Sequence, residues 1–197
     1  MLAHVYKGQN LPTPFFVQPK LNGVRALYQD GRFWSRDEIP WHDELVAHVV
    51  GDLMSTVPHG WILDGEFYHH GWSLQQINSA IAVKRLHKTP ATEAVSYNVF
   101  DIVSTEPFYL RFASVVPMLR DHKSVRAVPT HVCDTLDQAL SYFHHYKRTG
   151  YEGIMFRHGP DGYLSKRCNS LLKHKAWFDS EFRIIGLEEG TGKCTDT

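Results

Sequence analysis

Short runs of aromatic and β-branched residues, separated by turn-forming pairs, set the pattern of this chain. Phe15 to Gln18 predicts a strand, and Val24 to Tyr28 with Arg32 to Ser35 predicts a hairpin reversing at Asp30-Gly31. An Asp-Gly pair tolerates the positive φ values of a two-residue hairpin turn. Trp61 to Tyr68, Ser96 to Val103, Ile154 to Phe156, Leu171 to Trp177 and Phe182 to Leu187 read as further strands. Helices come from a different spacing. Residues 43–50 suit a short one, and Ser73 with Gln76 forms a capping box ahead of Leu74, Ile77 and Ile81 on one helical face. Thr135 with Gln138 repeats that signal before Ala139, Leu140 and Phe143, and Gly150 stands where the helix would stop. Pro117 either opens a helix within 111–122 or bends one. Without regular βαβ alternation, these elements predict an α+β fold with mainly antiparallel sheets.

Composition narrows the picture a little. At 197 residues the chain can bury a sizeable core as one domain, with room for a small appendage. Its 21 Lys and Arg balance 21 Asp and Glu, so no global basic field announces a nucleic-acid partner. Any such contact has to come from local patches. Cys133, Cys168 and Cys194 lack CxxC spacing, which argues against a disulfide framework or a zinc site and fits a reducing compartment. No signal-peptide core and no membrane-length apolar run is present, so a soluble intracellular protein is expected.

The segment with most chemistry is Gln18-Pro19-Lys20-Leu21-Asn22-Gly23-Val24-Arg25. It ends a strand on a lysine and turns at once through Asn-Gly, which can present the amine to a cavity. Leu63-Asp64-Gly65-Glu66-Phe67 sets two carboxylates in a hydrophobic strand, and Glu152 precedes another. Lys173 and Lys175 share one face of a strand, because side chains alternate with period two. Each segment also has an ordinary structural reading: a hairpin, an edge charge or a solvated sheet face.

Together and in this order, these segments resemble the covalent nucleotidyltransferases: ATP-dependent DNA ligases, RNA ligases and mRNA capping enzymes. Lys20 to Arg25 resembles the first motif, Lys-x-Asp-Gly-x-Arg, and Ser35-Arg36 the arginine motif after it. Asp64-Gly65-Glu66 is similar to the third motif, Tyr97 to Asp101 to the aromatic segment, Glu152-Gly153 to the fourth and Lys173-His174-Lys175 to the fifth. The likeness is greatest to the compact ligases of phages and large viruses. It implies an ATP-grasp-like nucleotidyltransferase domain of mainly antiparallel sheets flanked by helices. It also implies ATP as substrate with a covalent AMP intermediate, Mg²⁺, and nicked double-stranded DNA as partner to a monomer. The setting would be the cytoplasm of a bacterial or phage-infected cell, or the nucleus for a eukaryotic virus.

Carried over by residue, the resemblance makes Lys20 the nucleophile, with Lys173 and Lys175 on the α-phosphate as catalytic partners. Arg25 and Glu66 hold the ribose hydroxyls, and Arg36 contacts ribose or phosphate. Phe100 stacks on adenine, although core packing explains it as well. Gln18 lies at the base edge, accepting from the exocyclic amine and donating to a ring nitrogen. Glu152, with Glu66, is the candidate for the metal.

Elementary chemistry agrees. A lysine amine attacks only when neutral, and an ordinary pKa of about 10.4 leaves roughly 0.1% neutral near physiological pH. Desolvation and neighbouring cations disfavour an ammonium, and the same cations hold a triphosphate. Carboxylates are then needed for Mg²⁺, which takes oxygen ligands.

Two departures stand out. Asn22 occupies the position usually held by Asp, which keeps the turn but removes a charge near the metal. After the fifth motif, ligases continue into an OB-fold; residues 182–193 resemble its first strand, and the remainder is too short for a five-stranded barrel. The expectation is an adenylation domain over 1–180 and the start of an OB-fold over 181–197. The histidine pairs His69-His70 and His144-His145 read as surface residues. Lys84, Arg85, His87 and Lys88 read either as DNA-backbone contacts or as a helix terminus. A DNA ligase adenylation domain is the leading reading; RNA ligase, capping guanylyltransferase and a non-catalytic binding module are the alternatives.

Overall fold

The computed structural model describes residues 1–176, 181 and 183–186. Among the described residues, ten strands form two five-stranded sheets. The first sheet contains β1 (Leu2–Val5), β2 (Phe15–Lys20), β8 (His131–Cys133), β9 (Gly153–Arg157) and β10 (Arg167–Lys175), in the order β1-β10-β9-β2-β8. The second contains β3 (Val24–Gln29), β4 (Arg32–Trp34), β5 (Ile62–Tyr68), β6 (Ser96–Ile102) and β7 (Val125–Ala127), in the order β4-β3-β5-β6-β7. Pairing is antiparallel except for β1 on β10 and β6 on β7. The expected α+β class is therefore present.

Helices cover the outer faces. α1 (Asp43–Met54) buries Leu45, Val46, Val49 and Leu53. α2 (Leu74–Ile81) buries Ile77, Ala80 and Ile81 behind the capping box of Ser73 and Gln76. These join the apolar side of the second sheet, where Phe33, Phe67 and Tyr97 pack together. α5 (Leu136–Arg148) carries the Thr135–Gln138 capping box and packs Ala139 and Tyr146 on the first sheet, against Val17, Ile154 and Phe156. α3 (Pro90–Ala94) and α4 (Phe108–Val115) are the remaining helices among the described residues.

Several expectations change in detail. The helix at 43–50 continues to Met54, and Leu74 lies on the exposed side of α2 rather than in its buried stripe. The hairpin turns at Asp30 (φ 47°) and Gly31 (φ 81°) as expected, but β4 ends at Trp34 and leaves Ser35 in the following turn. Pro117 neither bends nor opens a full helix: α4 stops at Val115 and Pro117 stands near the start of a 3₁₀ turn, Val116–Leu119. β10 begins at Arg167, four residues before the apolar run that predicted it. Residues 183–186 form no strand, whereas Trp177, Phe182, Leu187 and the rest of the expected OB-like segment lie outside the described residues. The short elements β1, α3, β7 and β8 had no pattern long enough to predict them.

A buried charge network joins the layers. Asp101 on β6 stands opposite Asp64 on β5, and both carboxylates are sealed from water. Like charges in that position repel unless each has its own cation. Arg111 from α4 donates to Asp101 through Nε (2.6 Å) and Nη2 (3.1 Å), and Arg157 from β9 donates through Nη1 (2.5 Å). Arg25 from β3 takes Asp64 bidentately, at 2.9 and 2.7 Å. Among the described residues no buried side-chain polar atom lacks a partner.

Asp101→Asn, which keeps shape but removes the charge two arginines rely on, is expected to lower unfolding free energy by about 3–5 kcal/mol. A urea midpoint within experimental error of the parent chain would show that the network is not needed for stability.

Candidate active site

Strand parity gathers the site. In the first sheet Gln18 pairs with Met155 and Lys20 with Gly153, while Lys173 and Lys175 pair with those same two residues from the other side. Gln18, Lys20, Arg157, Lys173 and Lys175 thus share one face, while Val17, Ile154 and Phe156 point back at α5. In the second sheet Arg25 pairs with Glu66. The register of β5 against β6 shifts between Asp64 and Gly65, making Phe100 the extra residue of a bulge, a device that re-aims a side chain. A cleft of about 170 Å³ between the sheets is lined by Gln18, Lys20, Arg25, Glu66, Phe100, Arg157 and Lys173 among others.

The turn after Lys20 depends on glycine for space rather than for φ. A Cβ at Gly23 would come within 2.2 Å of the Phe67 carbonyl, and the Gly23 amide donates to Glu66 Oε1. Gly153 is equally confined: a Cβ there would come within 2.2 Å of the His174 carbonyl. Lys20 and Lys175 flank it from opposite strands and meet above it at Glu152.

Lys20 Nζ donates to Glu152 Oε2 at 2.5 Å, and Lys175 Nζ lies 3.4 Å from Oε1. Burial pushes the Glu152 carboxyl up, but the hydrogen bond and charge of Lys20, with those of Lys175, outweigh it and hold the group below its ordinary range. Glu66 behaves oppositely. Burial raises it, and the Gly23 amide and Lys20 charge pull it only part of the way back, with Glu152 and Asp64 opposing them. Environment thus shifts the two carboxyl groups in opposite directions. Both are oxygen donors of the kind a hard cation takes alongside phosphate and water, so the residues present fit Mg²⁺. Among the described residues no group of three or more His, Cys, Asp or Glu is placed to hold a metal ion.

The other expected residues fall as follows. Lys173 lines the cleft and has no side-chain partner among the described residues. Phe100 lines it too, with the Arg157 guanidinium 5.6 Å from its ring centroid. Arg25 lines it but is largely engaged: besides Asp64 it donates to the Met1 carbonyl (2.8 Å) and the Tyr163 hydroxyl (3.0 Å). Burial works against its charge, and Asp64 overcomes that and raises its pKa. Arg36 is exposed and lines a neighbouring depression of about 540 Å³, which shares Arg25 with the cleft but contains neither Lys20 nor the two glutamates. Asn22 is exposed at the turn.

Gln18 requires a correction. Its side-chain N–H groups donate to the Phe100 carbonyl (3.2 Å) and Thr130 Oγ1 (2.9 Å), so neither remains to donate to a ring nitrogen. Sequence reasoning gave no individual role to Arg157, Asp101, Arg111 or Tyr163. Arg157 carried a signal, since period two from Gly153 puts it on the face of Lys20. Arg111 carried another, a charge between Phe108 and Phe112.

The sequence profile described as ATP dependent DNA ligase domain matches residues 1–175. No curated protein gives a match. Among solved structures, a Lig E DNA ligase studied for DNA binding with a minimal scaffold is 21% identical with a TM-score of 0.76, covering 98% of this chain and 75% of its own. The Chlorella virus DNA ligase-adenylate is 25% identical with a TM-score of 0.69, covering 88% and 66%. The bacteriophage T7 ATP-dependent DNA ligase, in complex with ATP, is 12% identical with a TM-score of 0.67, covering 88% and 67%. The chain therefore spans three quarters of the first structure and about two thirds of the other two. The likenesses at 21% and 12% speak for the fold, and the profile match over 175 of the 197 residues speaks for the family. This chain belongs to the ATP dependent DNA ligase domain family.

Proposed function

We propose that Lys20 takes AMP from ATP and that the AMP passes to the 5′-phosphate of nicked double-stranded DNA. The observation that carries this reading is the 2.5 Å contact between Glu152 and Lys20, whose side chain lines a cleft together with Lys173, Glu66 and Phe100. Lys20 Nζ forms the bond to the α-phosphorus, and the bond from phosphorus to the bridging oxygen of pyrophosphate breaks. Before attack, Nζ must lose a proton. Glu152 is the carboxylate placed to receive that proton. Lys173 and Lys175 meet the charge that develops on the α-phosphate and the departing pyrophosphate. Phe100 offers its ring to the base, and Glu66 its carboxylate to the ribose.

Glu152 and Glu66 would hold Mg²⁺, which neutralises phosphate charge when bound. The AMP-activated 5′-phosphate is then open to a 3′-hydroxyl, and the nick closes with release of AMP. Residues 1–180 form the adenylation unit in this reading and 181–197 the start of an OB-fold, in a monomer that works where DNA is replicated or repaired.

Incubation with Mg²⁺ and α-labelled ATP is expected to leave label on the protein after denaturation, and Lys20→Ala to remove it entirely. Label persisting in that variant would assign the nucleophile elsewhere. Glu152→Gln should slow labelling by at least about 100-fold. It should also expose the pH linkage of the ion pair. Because folding holds the Glu152 carboxyl below its ordinary value of 4.5, the pair contributes stability that is fully present above that pH and is lost as pH falls through the lower folded-state value. The stability difference between the parent and Glu152→Gln should therefore be largest near neutrality and vanish in acid. A difference that grows below pH 4 would contradict it.

A further inference from the structure

Partners whose own polarity is unambiguous hold the Gln18 carboxamide in one orientation. The Val128 carbonyl can only accept, so Thr130 Oγ1 donates to it at 3.0 Å and accepts from Gln18 Nε2 at 2.9 Å. The Phe100 carbonyl accepts the other N–H at 3.2 Å. At the opposite end a guanidinium can only donate, and Arg157 Nε reaches Gln18 Oε1 at 2.7 Å. Arg157 is itself immobilised. Its Nη1 donates to Asp101 at 2.5 Å, and its guanidinium carbon stands 4.6 Å from the Phe108 ring centroid and 5.6 Å from that of Phe100. Both Gln18 and Arg157 are almost fully buried yet line the cleft.

We propose that Arg157 is a positioning residue that sets base choice by locking Gln18 with only an acceptor to offer. The lock spends both N–H groups and leaves one lone pair on Oε1. A purine stacked on Phe100 then meets an acceptor at its edge. The exocyclic amine of adenine satisfies it, whereas guanine brings the O6 acceptor to the same place and both oxygens go unpaired. A freely rotating amide could turn its N–H groups toward O6 and accept either base. Discrimination therefore resides in the clamp of Arg157, Thr130 and the Phe100 carbonyl as much as in Gln18. Arg157 has the geometry for this because its fork serves Gln18 and Asp101 at once, which a lysine in its place does not. The inference rests on the adenylation reading of Lys20 and deepens it.

The test is covalent labelling of the full chain with ATP, GTP and purine riboside triphosphate, which lacks any group at the 6-position. The parent is expected to prefer ATP over GTP by at least about 100-fold. Arg157→Lys, which keeps a positive charge beside Asp101, and Thr130→Val, which keeps side-chain volume, should each reduce that ratio about tenfold. Labelling by purine riboside triphosphate should change far less. Should Arg157→Lys fail to fold, as judged by its melting transition, Thr130→Val carries the test alone. Variants that slow all three nucleotides equally, with the ATP-to-GTP ratio intact, would reduce the clamp to a structural role and overturn the proposal. A parent labelled as readily by GTP as by ATP would also overturn it. No label from any nucleotide would overturn the adenylation reading itself, and the base-choice inference with it.

Discussion

Asp101 has no access to water, and a carboxylate in that position is tolerable only with cations and hydrogen bonds around it. Arg111 reaches it from α4 and Arg157 from β9, so one side chain on the second sheet fixes both a helix on that sheet and a strand of the other. The consequence runs further because Arg157 also holds Gln18, two residues before Lys20 on β2. The walls of the cleft are therefore set against each other by charge at the bottom, while apolar packing against α1, α2 and α5 secures each sheet separately.

Asp64 obeys the same constraint and has a parallel effect. Its carboxylate needs Arg25, and Tyr163 adds a hydrogen bond of 2.7 Å. That leaves Arg25 with little capacity for a ligand. Glu66, two residues along the same strand face, has no arginine partner and accepts only from the Gly23 amide among the described residues. The Asp-Gly-Glu segment thus divides into a structural carboxylate and one facing the cleft. Glycine separates them because Tyr97 and the Asn98 carbonyl fill the space where a Cβ would stand, each at 2.7 Å.

Glu152 is the counterpart in the first sheet. It draws two lysines from different strands over Gly153, where a Cβ would collide with the backbone of β10. The pair with Lys20 is both a structural tie and a restraint on the amine.

Local sequence alone determined the turn and strand chemistry: Asp30-Gly31, the two capping boxes, the alternation on β9 and β10, and the ordered motifs that marked Lys20, Glu66, Glu152, Lys173 and Lys175. These are properties of adjacent residues and of fixed period, so they can be read along a line. Strands of three or four residues such as β7 and β8 left no such period, and they form because longer neighbours supply their hydrogen bonds. The partner of each charge was not legible either. That Arg25 would choose Asp64 over Glu66, that Gln18 would spend its amide on Arg157, Thr130 and the Phe100 carbonyl, and that Arg36 would lie beyond the cleft all depend on which groups meet when two sheets close. Burial makes that choice, since an ion removed from water must take whichever partner the fold places within reach, however distant in sequence.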